Sequence, residues 1–522
     1  MLVAVVPVAM RWTHRSLFDT RALVWAAALL LGWSGQGPAP ARAQAPIAAA
    51  KPIAELYHDI PSKTAEMGNM ATGMALADLD NDGWLDMVVS NGNTVGREEL
   101  TVHYNKARGD RPFSEAFPDW YDGRAAHRAG LAVGDVDGDG WLDVAVAEPM
   151  GMHHDFAKGG VRVHMNQGGE LEASPSWSTG DGFGASGCAF ADVDGDGDLD
   201  LAVAVVAESG FLGGGSSHYP GGRQRIYFNR DKELERWPSW DTKLAMVAGD
   251  VVAADINQDG LMDLGFAARA PAIFYGRRPS GGRSAPFSRE PDWVSADTFV
   301  SSYGIDAGWV TNRPEGPLAV AVAAECLAAT CGTSRFVIYD PSRSRRHLWS
   351  SQPAANAAKL LLADLNADGS LDLVGTQLGE QNAGAPVVIF QGPLLLDETL
   401  PEQAPVFRSS TKTIGQGIAA GNLRNLQIVK RSFVSDAPRA LWTLPHRRIH
   451  RIEDVAIVDP GGARRSVPYA WAPGTNWISL QERLSPPQRL DVQYQTSPVV
   501  DLTVAVATAT EADYIFYSEY AD

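Results

Sequence analysis

Five times the chain repeats a nonapeptide with aspartates at alternate positions around a glycine. D-L-D-N-D-G-W-L-D starts at Asp78, D-V-D-G-D-G-W-L-D at Asp135 and D-V-D-G-D-G-D-L-D at Asp192. D-I-N-Q-D-G-L-M-D starts at Asp255 and D-L-N-A-D-G-S-L-D at Asp364. The third copy holds five carboxylates in nine residues and no Lys or Arg. Carboxylates this crowded repel one another unless a hard cation sits among them. Calcium takes about six to eight oxygen ligands, and this spacing supplies them. Positions 1, 3, 5 and 9 offer side chains, position 7 a backbone carbonyl, and glycine at position 6 permits the tight turn.

The spacing therefore predicts five structural Ca2+ sites. The first uses Asp78, Asp80, Asp82 and Asp86 with the carbonyl of Trp84; the second uses Asp135, Asp137, Asp139 and Asp143 with that of Trp141. The third uses Asp192, Asp194, Asp196 and Asp200, with Asp198 at the carbonyl position. Asp255, Asn257, Asp259 and Asp263 with Leu261 form the fourth, and Asp364, Asn366, Asp368 and Asp372 with Ser370 the last. An EF-hand shares the opening D-x-D-x-D-G but needs an acid at position 12. Here that position holds Val89, Val146, Val203, Phe266 and Gly375, so the EF-hand is excluded.

Starts at 78, 135 and 192 lie 57 residues apart, and the later gaps fit the same period with one decayed copy between Asp255 and Asp364. Gly308-Trp309-Val310 and Gly421-Asn422-Leu423 keep the small and apolar neighbours of the loop start, which brings the copies to seven. Neither of these two keeps the acids, so neither is expected to bind metal; in the fifth, Arg313 supplies a positive charge of its own. Gly73, Gly130, Gly187, Gly304 and Gly417 each stand five places upstream of a loop. An aromatic precedes the loops by about fifteen residues: Trp120, Trp177, Trp240, Trp293, Trp349 and Phe407. Between loop and aromatic lies an apolar strand such as L-T-V-H-Y-N (Leu100 to Asn105), V-R-V-H-M-N (to Asn166) or R-I-Y-F-N (to Asn229). Each unit thus reads as four short strands, small-residued inside and aromatic outside, which is a propeller blade.

The predicted fold is all-β, a seven-bladed β-propeller over residues 44–429 and 499–522, with 53–63 supplying the outer strand that closes the seventh blade. Residues 430–498 alternate apolar and polar side chains and read as a small sandwich-like insert in that blade. Its basic run His446 to Arg451 reads as a solvated strand face.

A formal net charge of -18 disfavours nucleic-acid binding. Arg11, Arg15 and Arg21 precede an apolar run from Ala22 to Trp33, and Ala41-Arg42-Ala43 offers a cleavage site. Residues 1–43 are read as a signal peptide, leaving an exported chain with no membrane span. In an oxidising compartment Cys326 and Cys331 are expected to form a disulfide, whereas Cys188 in its apolar strand is an inert core thiol.

Together these motifs resemble the FG-GAP/VCBS repeats of integrin α-subunit propellers and their secreted bacterial relatives. The likeness is clearest in F-G-A-S-G-C-A-F-A-D-V-D-G-D-G-D-L-D from Phe183 and covers roughly 53–429 and 499–522. It implies structural calcium in the first hairpin loop of each blade. Cell adhesion, the integrin role, does not follow from fold alone.

The connections between second and third strands carry the variable residues: Glu148 to Lys158, Glu208 to Arg223, the cysteine-bearing loop and Gln377 to Gly384. They lie on the face opposite the acidic loops and suit recognition of glycans or protein surfaces. No G-x-S-x-G, H-E-x-x-H or P-loop occurs. The leading expectation is a secreted, non-catalytic binding, adhesion or scaffolding protein. The alternative is a polysaccharide-active hydrolase or lyase working on that opposite face.

Overall fold

The computed structural model describes residues 52–516 apart from 59–62, 65–69, 94–95, 107–111, 114–116, 150–158, 209–220, 279–285, 312–315, 326–332, 380–382, 424–426, 435–436, 447–448, 497–500 and 507–513. The signal-peptide reading, the Cys326–Cys331 pairing, Arg313 and most of the variable connections lie outside the described residues.

Seven four-stranded antiparallel sheets carry the architecture. The first consists of Ala71–Ala77, Asp86–Gly92, Arg97–His103 and Trp120–Tyr121, in that order from inside to outside. The first strands of the other six are Leu131–Gly134, Phe183–Ala191, Ala248–Ala254, Ser301–Gly308, Ala357–Ala363 and Gly415–Gly421. Each of these inner strands touches the next, and Gly415–Gly421 returns to Ala71–Ala77, so the sheets close on themselves as a β-propeller. Crowding at that inner ring explains the small residues. A methyl on Gly73 would stand 2.6 Å from the Ala129 carbonyl oxygen, and one on Gly304 would stand 2.9 Å from the Leu360 nitrogen. Two sheets break the glycine rule, with Asp250 and Lys359 in its place. Those two side chains pair with each other at 2.7 Å, from the fourth sheet to the sixth.

The outer aromatics have an equally regular partner. Each leads its outermost strand; the five tryptophans meet, edge to face, a ring on the third strand of the following sheet, and Phe407 meets Tyr57 of the N-terminal turn instead. The pairs are Trp120 with His164, Trp177 with Tyr227, Trp240 with Phe274, Trp293 with Tyr339 and Trp349 with Phe390, with ring centroids 5.2 to 6.1 Å apart. Such contacts fill the wedge that opens between sheets away from the centre.

The seventh sheet joins the two ends of the chain. Its strands are Gly415–Gly421, Asp501–Val506, Tyr514–Phe516 and Lys63–Thr64. The closing strand is therefore shorter than the expected 53–63, because Ile53–Glu55 is a 3-10 turn. The sequence explains it: Ile53, Leu56 and Tyr57 recur at helical rather than strand spacing. All three are buried with Leu361, Leu365, Phe407 and Ala420, between the sixth and seventh sheets. Among the described residues no helix is long and apolar enough to cross a membrane.

The insert begins slightly before 430. Gln427–Val434 pairs along its whole length with Arg489–Thr496, which also pairs with Ile449–Val458; that strand in turn holds Arg464–Ser466. A second sheet of Arg439–Thr443, Trp477–Leu484 and Tyr469–Ala470 packs on it around Trp442, Ile457, Ile478, Leu480, Val492 and Tyr494. Alternate residues of this second sheet face the other way. Leu441, Ala470 and Trp477 join the core of the second to fourth propeller sheets. The insert is thus fastened to the propeller by a two-sided sheet.

Leu56 is fully buried, so Leu56→Ala should cost about 2–5 kcal/mol. Urea denaturation measures this. A loss under about 1 kcal/mol would mean that the N-terminal turn contributes nothing to closing the ring.

Candidate metal centres

Each acidic loop connects the first and second strands of a sheet, and register fixes its ends. Ala77 pairs with Asp86, Gly134 with Asp143, Ala191 with Asp200, Ala254 with Asp263 and Ala363 with Asp372. Position 6 is glycine in all five because its φ lies between 81° and 94°, where a side chain is strained. That turn aims the Gly83 N–H at the Asp78 carboxylate, 3.0 Å away. Gly140, Gly197, Gly260 and Gly369 donate in the same way to Asp135, Asp192, Asp255 and Asp364, at 2.9 to 3.0 Å.

One oxygen of the position-1 aspartate is thereby occupied; the other accepts a backbone N–H of the same loop at Asp135, Asp192 and Asp364, but not at Asp78 or Asp255. Asp78 Oδ1, Asp255 Oδ1 and, at position 3, Asp194 Oδ1 are buried without a hydrogen-bond partner. Buried carboxylate oxygens without a donor are costly, and a cation is the kind of partner that would satisfy them. In three loops the acids of positions 1, 3 and 9 each place an oxygen within 4.8 Å of the others: Asp78, Asp80 and Asp86; Asp135, Asp137 and Asp143; Asp192, Asp194 and Asp200. These clusters are close enough to hold a metal ion. Asp82, Asp139 and Asp196 stand outside the triads but accept the position-7 N–H, which orients the Trp84, Trp141 and Asp198 peptides. In the fourth and sixth loops position 3 is an amide. Asn257 and Asn366 turn Nδ2 to Asp259 and Asp368, both at 3.0 Å, between Asp255 and Asp263 and between Asp364 and Asp372.

Burial pushes these carboxyls up. Asp78, Asp255 and Asp364 rise to about 6, Asp143 and Asp192 to about 7, and Asp86 and Asp263 to about 8. Desolvation is the largest cause throughout, with repulsion from neighbouring aspartates adding to it. A divalent ion would reverse both effects.

The ninth aspartate does more than sit near the cluster. Asp86 accepts the Leu79 N–H on one oxygen and the Asn105 N–H on the other, both at 2.8 Å. Asp143 holds Val136 and Asn166, Asp200 holds Val193 and Asn229, Asp263 holds Ile256 and Gly276, and Asp372 holds Leu365 and Gly392. Each of the three asparagines then reaches into the preceding sheet. Asn105 Nδ2 donates to the Leu423 carbonyl, Asn166 Nδ2 to Leu79 and Asn229 Nδ2 to Val136, at 2.7 to 2.8 Å. In the sequence these asparagines stand only as the ends of third strands. Their recurrence at one place in three copies was the available signal.

The two degenerate loops differ in kind. In the fifth, Gly308 pairs with Ala319, so the loop is two residues longer than the nonapeptide and alanine stands at the ninth place. The residue matching Asn105 there is Pro341, which has no N–H to leave unpaired. In the seventh, Gly421 pairs with Asp501, and Asp501 accepts the Leu423 N–H at 3.1 Å. Asp501 is therefore the ninth residue of a loop whose middle contains the whole insert.

The insert folds back over the acidic loops. Arg451 Nη1 lies 3.3 Å from Asp78 Oδ2, Ser479 donates to Asp192, and Gln258 Nε2 lies 3.4 Å from Thr443 Oγ1. A side chain on Gly197 would overlap Gln481. This corrects the reading of the basic run as a solvated face: Ile449 and His450 are buried, and Arg451 faces the first loop. Arg447 and Arg448 lie outside the described residues. Residues 430–498 hold ten Lys or Arg against six Asp or Glu. That basic excess is the complement of what they cover. Together with His450, residues 472–475 roof a cavity of about 220 Å³ whose walls are inner strands of the first, second, third and seventh sheets. Cys188 lines it, buried, and burial pushes its thiol up, so it is not a poised nucleophile.

Asn166 is a link that can be tested without metal. In chelator-treated protein, Asn166→Ala should lose about 1–3 kcal/mol for each buried group left unpaired, read by chemical denaturation. A loss below about 0.5 kcal/mol would show that the sheet-to-sheet link is not stabilising.

Comparison with known proteins agrees with the repeat. The FG-GAP-like repeat family matches residues 78–146 and 135–203. No curated protein matches the chain. Similar solved structures include BBS1N in complex with ARL6DN, soaked with lead (9% identity, TM-score 0.41, 83% of this chain and 98% of that one). The Dos1 propeller is 11% identical, with TM-score 0.40 and coverage of 89% and 95%. The V. cholerae biofilm matrix protein Bap1 is 13% identical, with TM-score 0.35 and coverage of 89% and 76%. Residues 78–203 are FG-GAP-like repeats, and they belong to a β-propeller.

Proposed function

We propose that this chain is an exported, calcium-stabilised β-propeller that works as a non-catalytic binding or scaffolding protein. One observation supports the reading most strongly: buried carboxylate oxygens without donors lie inside loops that offer only oxygen ligands. Oxygen-only donor sets with several carboxylates and a backbone carbonyl suit calcium. Asp78, Asp80, Asp82 and Asp86 with the Trp84 carbonyl would hold the first ion, and the other four loops would repeat the arrangement. When bound, calcium offsets part of the loop's negative charge and locks the hairpin; the chain's own residues supply the rest of the fold.

Because the insert covers the acidic loops, glycan or protein ligands are expected on the opposite face, where the second-to-third-strand connections emerge. Export is supported by the Arg-flanked apolar run and Ala41-Arg42-Ala43. Protein recovered from outside the producing cell should begin at Gln44, as read by intact mass; recovery of the full-length chain would refute the cleavage. A glycan array run beside turnover assays tests the binding role, and product formation lost on mutating acids of the opposite face would replace it with the enzymatic one.

The calcium reading has a pH signature. Without metal, burial holds Asp78, Asp255 and Asp364 at about 6, Asp143 and Asp192 at about 7, and Asp86 and Asp263 at about 8 in the folded chain, against about 3.9 when unfolded. A raised folded value means stability that is complete below about pH 4 and is lost as pH climbs through 6 to 8. Chelated protein should therefore melt at a lower temperature at pH 8 than at pH 5. Calcium should raise the melting temperature, by about 2.7 kcal/mol of stability per site at a hundredfold excess over Kd, with the larger gain at pH 8. An unchanged melting temperature on adding EDTA at pH 8 would refute calcium in these loops.

A further inference from the structure

Gln427–Val434 is the outermost strand of the insert's four-stranded sheet. It pairs with Arg489–Thr496 from end to end without a bulge, and among the described residues no backbone group of another segment bonds to its other edge. A strand sends N–H and C=O groups to both sides, so this edge offers a row of donors and acceptors to a further strand. None of its eight residues is buried, although Val429 and Phe433 rest against the insert's core. The propeller treats its own edges differently. Its outermost strands are two residues long, except Phe407–Thr413, whose pairing slips between Pro386 and Val388. Short or irregular edges resist pairing, whereas Gln427–Val434 is long, regular and free of proline.

Charge selects what can dock there. Lys430 and Arg431 stand at the centre of the strand, which carries no acid. Arg431 turns its guanidinium back to the Lys430 carbonyl oxygen, 3.2 Å away, and neither cation pairs with a described carboxylate. A second copy of the chain is a poor partner. Two copies meeting antiparallel about the strand's centre would set Lys430 opposite Arg431. Slipped by one residue either way, they would set Lys430 opposite Lys430 or Arg431 opposite Arg431. Like charges directly across a ladder destabilise it, and an acidic strand reverses the sign in each of these registers. Exposed Ile428 and Val434 share a strand face with Lys430 and favour apolar, β-branched neighbours on either side of the acids.

We propose that Gln427–Val434 is a docking edge for an extended acidic segment of a partner protein, which joins the insert's sheet as a further strand. Main-chain hydrogen bonds would hold the segment, and the two cations would select it. Docking here needs neither calcium nor the variable loops of the opposite face.

Fluorescence anisotropy with the whole mature chain and a labelled peptide, V-T-V-E-D-V-T-V, provides the test. Saturable binding is expected. The charge-reversed peptide V-T-V-K-K-V-T-V should not bind. Nor should the acidic peptide N-methylated at both of its acids, which keeps the charge but removes an N–H from each edge. Lys430→Glu, at an exposed position, should weaken binding about tenfold and leave the melting temperature unchanged. Amide hydrogen exchange should slow within 427–434 when the peptide is bound. No binding, equal binding of the N-methylated peptide, protection confined to another segment, or binding untouched by Lys430→Glu would each overturn the proposal. A dimer of the chain that protects 427–434, read by light scattering and exchange together, would overturn it in favour of a second copy.

Discussion

The fold depends on one buried carboxylate in each of the five acidic hairpins that accepts two backbone N–H groups. Asp86, Asp143 and Asp200 are each fully buried, and each ties the second residue of its own loop to the residue that follows the third strand. Leu79 and Val136 are held at both ends, since an asparagine of the next sheet takes the carbonyl of each. Bonds therefore run without a break from Leu423 to Asn105, Asp86, Leu79, Asn166, Asp143, Val136, Asn229 and Asp200. Four sheets share one hydrogen-bonded chain that passes through the join between the two ends of the polypeptide. Side-chain amides that bridge buried backbone groups also fix geometry, because each misplacement leaves several groups unpaired at once.

That arrangement creates the electrostatic problem which the loops then have to solve. Removing the ninth aspartate from water raises its pKa even though two N–H groups favour its charge, and the acids of positions 1 and 3 raise it further. A cation inside the loop lets the carboxylates stay ionised and keep both N–H bonds. The insert offers a weaker version of the same service. Arg439 reaches the fourth loop at Gly260, and Arg451 lies against the Asp78 oxygen that also accepts the Gly83 N–H, which leaves Oδ1 to look inward.

Spacing made much of this legible. Contiguous motifs announce themselves, so the nonapeptide, the upstream glycines and the outer tryptophans located seven hairpins and the outermost strands. What spacing missed were relations between distant residues. Asp501 completes a loop that opens at Asn422, and no period survives an insert of that length. The asparagine links join backbone to side chain across neighbouring sheets and have no local pattern. Ile53, Leu56 and Tyr57 were legible in principle, since their helical spacing contradicts a strand. The fold-back of the insert was not, because alternation along Trp477–Leu484 shows two faces without saying what each one meets.

The two degenerate loops separate the roles of the motif. The seventh has Asn422 in place of the first aspartate and no acid from there to Gln427, yet it keeps Asp501 and the bond from Leu423. Its ninth residue is retained where no cation cluster remains, which is what a hydrogen-bonding role requires. The fifth has lost the aspartate itself, and the matching donor is lost with it, since Pro341 presents no N–H. An aspartate replaced by Ala319 beside an ordinary residue at 341 would have left a buried amide unpaired, at a cost of about 1–3 kcal/mol. Acceptor and donor are therefore absent together in the fifth hairpin and present together in the five acidic ones. The repeated motif is thus two devices sharing one residue: a hydrogen-bonded latch that builds the ring, and a cluster of acids around it that a metal ion can fill.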